Sequence, residues 1–177
     1  MSVAIARLTT FRLSPSLFGA HSAIPPISLY EPLVVCPMSR SLLLALCDVQ
    51  GQLFELSAER GYDSESFVKA YMTSQVSADM DKEFHHVQWA GKAYILSRME
   101  DEVADRLSKG GEVYDRGVLH WIGYIYRYWN LHTGESSRDI HRMVPAKVMR
   151  VAYPMYHTMG PEMAIDRLKE THSRSRK

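Results

Sequence analysis

The side chains able to do chemistry are few and scattered along the chain. Eight histidines are present, yet His85 and His86 are adjacent and so point to different sides, and neither lies in an HExxH pattern. His132 and His141 lie across a turn with no third ligand at a natural spacing. No metal and no cofactor is expected. Cys47 follows Leu46 inside an amphipathic pattern, where a thiol packs rather than reacts. No GxSxG occurs, and Gly91-Lys92 lacks the glycine-rich loop and following Ser or Thr of a phosphate cradle. The sequence therefore predicts a protein that is not an enzyme.

The run WIGYIYRYWN, Trp121 to Asn130, sets five aromatics around one arginine. Exposed, it would stack bases or hold Arg127 over a ring. Large aromatics at helical spacing are more often core, with hydroxyls reaching the surface, and the core reading is preferred. If part of the cluster is exposed, it favours a protein partner, because Tyr, Trp and Arg anchor interfaces. Tyr124, Tyr126 and Trp129 would then make the contact, with Arg127, Glu135 and Arg138 toward its rim. On that reading Tyr126→Ala or Arg127→Ala weakens partner binding without unfolding; on the core reading both lose helical structure.

A second candidate is TGESSRDIHRMVPAKVMRVAY, residues 133–153. Ile140, Val144, Ala146 and Val151 stand at the offsets with which a helix-turn-helix packs its two helices, and Ser136 or Ser137 can cap the first. Lys147 and Arg150 would then project toward a groove of operator DNA. Pro145 stands where glycine is usual, and Pro154 is expected to cut the second helix short.

The elements that must position these groups are helical. Leu42, Leu46, Val49, Leu53 and Leu56 share one face, and Gly61 supplies the left-handed residue that ends such a helix. Asp63 caps a short second helix with an apolar stripe from Phe67, Ala70 and Tyr71. A long third helix is expected from about His86 to Lys109, burying Trp89, Ala93, Leu96, Val103 and Leu107. Residues 115–132 read as a helix apolar over most of its circumference, ended by Thr133 and Gly134. Pieces over 135–144 and from Ala146 follow, then a terminal helix opened by GPE at Gly160, where proline suits the first helical position. No run of Val, Ile and Thr bounded by turns is present, so no strand is expected. The predicted fold is all-α, a single compact domain of about six to eight helices over residues 38–172, with a frayed basic tail at 173–177.

Composition bounds the function further. The chain has 177 residues, 46% hydrophobic and 23% charged, with a net charge of +1, so a polyanion site would have to be a local patch. Its two cysteines, Cys36 and Cys47, form no CxxC, which argues against a disulfide framework and a zinc ribbon and suits a reducing, cytoplasmic location. LLLALC at residues 42–47 is far shorter than the roughly 20 residues of a membrane span. Residues 1–37 hold five of the eight prolines, and Arg7 and Arg12 are the sole charged side chains before Glu31. They read as a disordered extension, either a transit peptide or, preferably, sequence upstream of a start at Met38.

CDVQGQLFELSAERGYDSESFVKAYMTSQVSADMD, QWAGKAYIL, WIGYIYRYWNLHTGESSRDI and YHTMGPEMAIDRLKE together resemble a family of small, helical, uncharacterised bacterial proteins often found in toxin–antitoxin-like operons. The resemblance covers about residues 44–171. It implies an antitoxin-like role: binding and neutralising or regulating a toxin-like protein encoded nearby, such as an ADP-ribosyltransferase. It assigns no catalytic residues. A helix-turn-helix transcriptional regulator is the alternative.

Overall fold

Five short polar side chains decide where helices begin. Ser39, Asp63, Ser74, Asp115 and Ser136 each accept a hydrogen bond from a backbone N–H two or three residues on, satisfying a donor that the first helical turn leaves unpaired. In a computed structural model, residues 39–175 are described. They form α1 (Arg40–Glu59), α2 (Ser64–Met72), α3 (Gln75–Met80), α4 (Gly91–Val103), α5 (Arg116–Thr133), α6 (Ser137–Met143), α7 (Ala146–Tyr156) and α8 (Pro161–Ser175). Single 3-10 turns occupy His86–Trp89 and Ala104–Arg106. Among the described residues there is no strand, and no helix is long and apolar enough to cross a membrane. The expected extension over 1–37 lies outside the described residues.

α5 is the central element. Leu119, Ile122, Ile125, Tyr126 and Trp129 are buried on several of its sides, and α1, α6, α7 and α8 all pack against it. Its closest neighbour is α1, and glycine sets the approach. A methyl group on Gly123 would lie 2.6 Å from the carbonyl oxygen of Gln50, and one on Gly51 would lie 2.8 Å from the ring of His120. The Gln50 amide uses that proximity, donating to the Gly123 carbonyl at 3.1 Å in a buried setting.

The corner between α1 and α2 is tied to the segment before α5. Asp63 N–H donates to Ser108 O and Ser64 N–H to Glu112 O, both at 2.9 Å, while Ser64 Oγ accepts from Tyr114 N–H at 2.9 Å. Gly61, with φ of +72°, makes the turn that allows this.

Four expectations change. The long third helix is a 3-10 turn followed by α4, broken where Gly91 takes φ of +75°. The break resets the helical phase, so Ile95, Leu96, Met99 and Val103 are buried while Trp89 and Ala93 face solvent. α3 was not foreseen; its first N–H groups are capped from a distance by the Glu102 carboxylate, at 2.6 Å from Gln75 and 3.1 Å from Val76. α7 passes through Pro154 to Tyr156, because a proline in the last turn removes a single donor and leaves the earlier bonds intact. The tail expected to fray from 173 is helical to Ser175.

Candidate interaction surfaces

The aromatic cluster of α5 is core where it carried most weight. Tyr126, Arg127 and Trp129 are each fully buried, which removes them as surface anchors. Tyr126 donates to Val144 O at 2.6 Å, and burial holds its hydroxyl well above the usual tyrosine range. Trp129 donates its indole N–H to the Glu135 carboxylate, which also meets Lys169 at 3.1 Å. Glu135, its side chain 35% exposed, thus ties the core tryptophan to Lys169 at the edge of the core. Tyr124 is half-buried, its ring stacked between His120 and Tyr128 along one face of α5. The Tyr128 hydroxyl donates to Glu162, and this bond together with burial pushes its pKa up to about 12.

Arg127 is the hub of a buried polar network. Its Nε donates to Gln50 Oε1 at 2.9 Å, and Nη1 donates to Met80 O at 3.0 Å, Asp81 Oδ1 at 2.8 Å and Asn130 Oδ1 at 2.9 Å. Tyr71 joins by donating to the same Gln50 oxygen at 3.0 Å. Asp81 in turn accepts from Ser137, from the backbone N–H at 2.8 Å and the hydroxyl at 2.6 Å. One arginine therefore joins α1, the end of α3, α5 and the start of α6, a structural task that demands burial.

The remaining candidates lie apart. Arg138 is exposed and donates to Thr73 O at 3.0 Å. Lys147 is exposed beside a cleft of about 170 Å³ that Lys69 and His141 also line; burial first, then Lys69, lowers the His141 pKa from its ordinary value. Arg150 does not stand free to face a groove. Its guanidinium meets Glu112 at 2.6 Å and covers the Tyr114 ring at 4.6 Å. Of the helix-turn-helix core positions, Ile140, Val144 and Ala146 are buried, but Val151 is 69% exposed because Met149 and Ala152 take the inner face of α7. Cys47 is buried, and desolvation pushes its thiol up to about 12, so it carries no thiolate near neutrality.

The aromatic rings that do reach solvent stand elsewhere: Phe84 and Trp89 are each 59% exposed and Tyr94 is 47% exposed. They occupy the turn after α3, the 3-10 turn and the first turns of α4. Their scaffold is fixed from beneath. Val87 is fully buried, and the Gln88 amide donates inward to Met80 O at 3.1 Å and Lys82 O at 2.6 Å. Lys82 pairs with Asp79 at 2.7 Å, and His85 Nδ1 accepts from Val87 N–H at 3.3 Å. Phe84 itself takes φ of +55°, among the described residues the sole non-glycine with positive φ, a conformation costing about 1 to 2 kcal/mol. A large apolar residue is thus held strained and outward on a loop anchored by buried Val87 and the Gln88 amide. In the sequence, Gly91 after a tryptophan was the signal for this surface; a helix interrupted there cannot bury Trp89 and Leu96 together.

Compared with protein-family models, with curated proteins and with solved structures, the chain matches none. The described residues form an all-α domain with Phe84, Trp89 and Tyr94 among its exposed aromatics.

Proposed function

We propose that this chain is a non-enzymatic cytoplasmic binding protein whose partner seats on Phe84, Trp89 and Tyr94. The observation that carries the reading is three large exposed aromatics within eleven residues, Phe84 and Trp89 in the segment anchored by buried Val87 and Gln88 and Tyr94 in the first turns of α4. Trp and Tyr dominate interface energetics because they offer wide apolar area at low entropic cost. Pre-organisation of the loop lowers the cost of binding further. On the resemblance expected from the sequence, that partner would be a toxin-like protein, an ADP-ribosyltransferase among the candidates, and the role the antitoxin-like one of neutralising or regulating it.

The test is affinity capture from the native host with tagged full-length chain, in parallel with a Phe84→Ser, Trp89→Ser double variant. One stoichiometric protein is expected on the wild type and is lost from the variant, whose circular dichroism stays unchanged because both side chains point away from the core. Loss of an anchor of this kind weakens binding by roughly 2 kcal/mol, about 30-fold. Equal recovery on both baits would contradict the assignment of this surface. Enriched DNA in place of protein would favour the operator reading through Lys147.

A further inference from the structure

Two clefts adjoin along α2, with Ser66 and Lys69 lining both. The first, about 170 Å³, also takes in His141 and Lys147. The second, about 270 Å³, continues past Ala70 to Thr73 and Arg106. Neither alone reaches the roughly 300 to 1,000 Å³ of small-molecule sites, but joined they fall in that range.

Positive charge gathers around both. Lys69 borders the two clefts, Lys147 the first and Arg106 the second. Arg138 joins Arg106 at Thr73, donating to its carbonyl at 3.0 Å while Arg106 donates to its hydroxyl at 3.3 Å. Among the described residues Lys69, Arg138 and Lys147 make no ion pair. The carboxylates nearby are already engaged. Glu65, one turn before Lys69, accepts from the Tyr114 hydroxyl at 2.8 Å. Glu102 accepts from the Gln75 and Val76 N–H groups and stands 3.9 Å from Arg106. The charge of Lys69 also acts on His141, where it adds to burial in lowering the pKa. In a chain whose net charge is +1, like charges thus converge on one groove without the counter-charge that would offset their repulsion. A local conflict of this kind in an otherwise consistent fold marks a functional position.

We infer that the joined clefts bind a chain of linked phosphates, one phosphate held by Lys69 and Lys147 and another by Lys69 and Arg106. A guanidinium offers a planar fork that fits phosphate oxygens, and a lysine supplies a point charge that follows them. A single carboxylate would leave one cleft unmatched, whereas each phosphate group brings up to about two negative charges. A DNA duplex fits less well, because Arg150, the other cation expected to follow its groove, is held by Glu112 at 2.6 Å. Free polyphosphate and the phosphate chain of a nucleotide present the same oxygens to these residues. The site shares no residue with Phe84, Trp89 and Tyr94, and its occupancy does not depend on the reading of that surface.

Isothermal titration calorimetry of the full chain with inorganic tripolyphosphate tests it. Saturable binding with a Kd below about 1 mM is expected. Lys69→Gln is expected to weaken it at least about 10-fold, the scale of one lost bond to a charged group, and Arg106→Gln to do the same. Both side chains are exposed, so thermal unfolding is expected to stay unchanged. Arg167→Gln, which removes an equal charge from the exposed side of α8, is expected to bind as the wild type does. ATP in place of tripolyphosphate identifies the source: tighter binding assigns the phosphate chain to a nucleotide, equal or weaker binding to free polyphosphate. The inference would be overturned if neither compound bound saturably at about 1 mM, or if Lys69→Gln and Arg167→Gln bound alike. Binding of duplex DNA without binding of tripolyphosphate would overturn it as well.

Discussion

Arg127→Met is expected to lower the unfolding free energy by about 3 kcal/mol, because breaking a buried charged network by removing one member costs roughly 3 to 5 kcal/mol. The lower end applies for two reasons. Asp81, the carboxylate left behind, keeps both donors of Ser137 and is 15% exposed at its side chain, so it is not stranded. The substitution also removes Nη2, which is buried with no hydrogen-bond partner among the described residues, an arrangement that costs about 1 to 3 kcal/mol in the wild type. The loss that remains is that of four bonds joining three helices and a turn. Urea unfolding followed by circular dichroism measures it, and a loss under about 1 kcal/mol, the size typical of an exposed pair, would show that Arg127 is not the hub described. Lysine does not rescue, since one ammonium cannot reproduce the planar fork that reaches Gln50 and Asp81 together.

Gly123→Ala is expected to destabilise by about 2 kcal/mol, although the same change in an exposed helix stabilises by about 1 kcal/mol. The sign reverses because the new methyl would stand 2.6 Å from the Gln50 carbonyl oxygen and 2.9 Å from the Gly51 Cα. Both are backbone atoms of α1, unable to swing aside, so the two helices must separate and the bond from Gln50 to the Gly123 carbonyl must lengthen. The same urea measurement decides; a more stable Gly123→Ala protein would mean that α1 and α5 do not approach as closely as the structure has them.

What could be read from the sequence was local. Asp63, Ser136, Gly61, Gly134 and Pro161 announce helix ends because each satisfies or breaks backbone geometry within a turn of itself. The helix over 115–132 was legible for a similar reason: apolar residues on adjoining faces with helical neighbours leave no partner for a strand. The burial of Arg127 was not. Its partners Gln50 and Asp81 lie 77 and 46 residues away, and an arginine among aromatics reads equally as a surface anchor until those partners are placed. Helix phase was the other obscure quantity. Trp89 fits the stripe of Leu96 if the helix is continuous, and Val151 fits that of Ile140 and Ala146 if only spacing is counted. The break at Gly91 and the inward packing of Met149 and Ala152 turn both outward. Trp89 and Val151 are thus exposed where periodicity alone placed core.

The tryptophans fall into distinct environments: Trp129 is fully buried, Trp121 is partly buried, and Trp89 stands 59% exposed. Acrylamide quenching of wild-type and Trp89→Phe fluorescence, each with and without the captured partner, tests that division and the function together. The account predicts a readily quenched component in the wild type that is absent from Trp89→Phe and becomes protected when the partner binds. A Trp89 already shielded in the free protein, or one whose quenching the partner leaves unchanged, would contradict it.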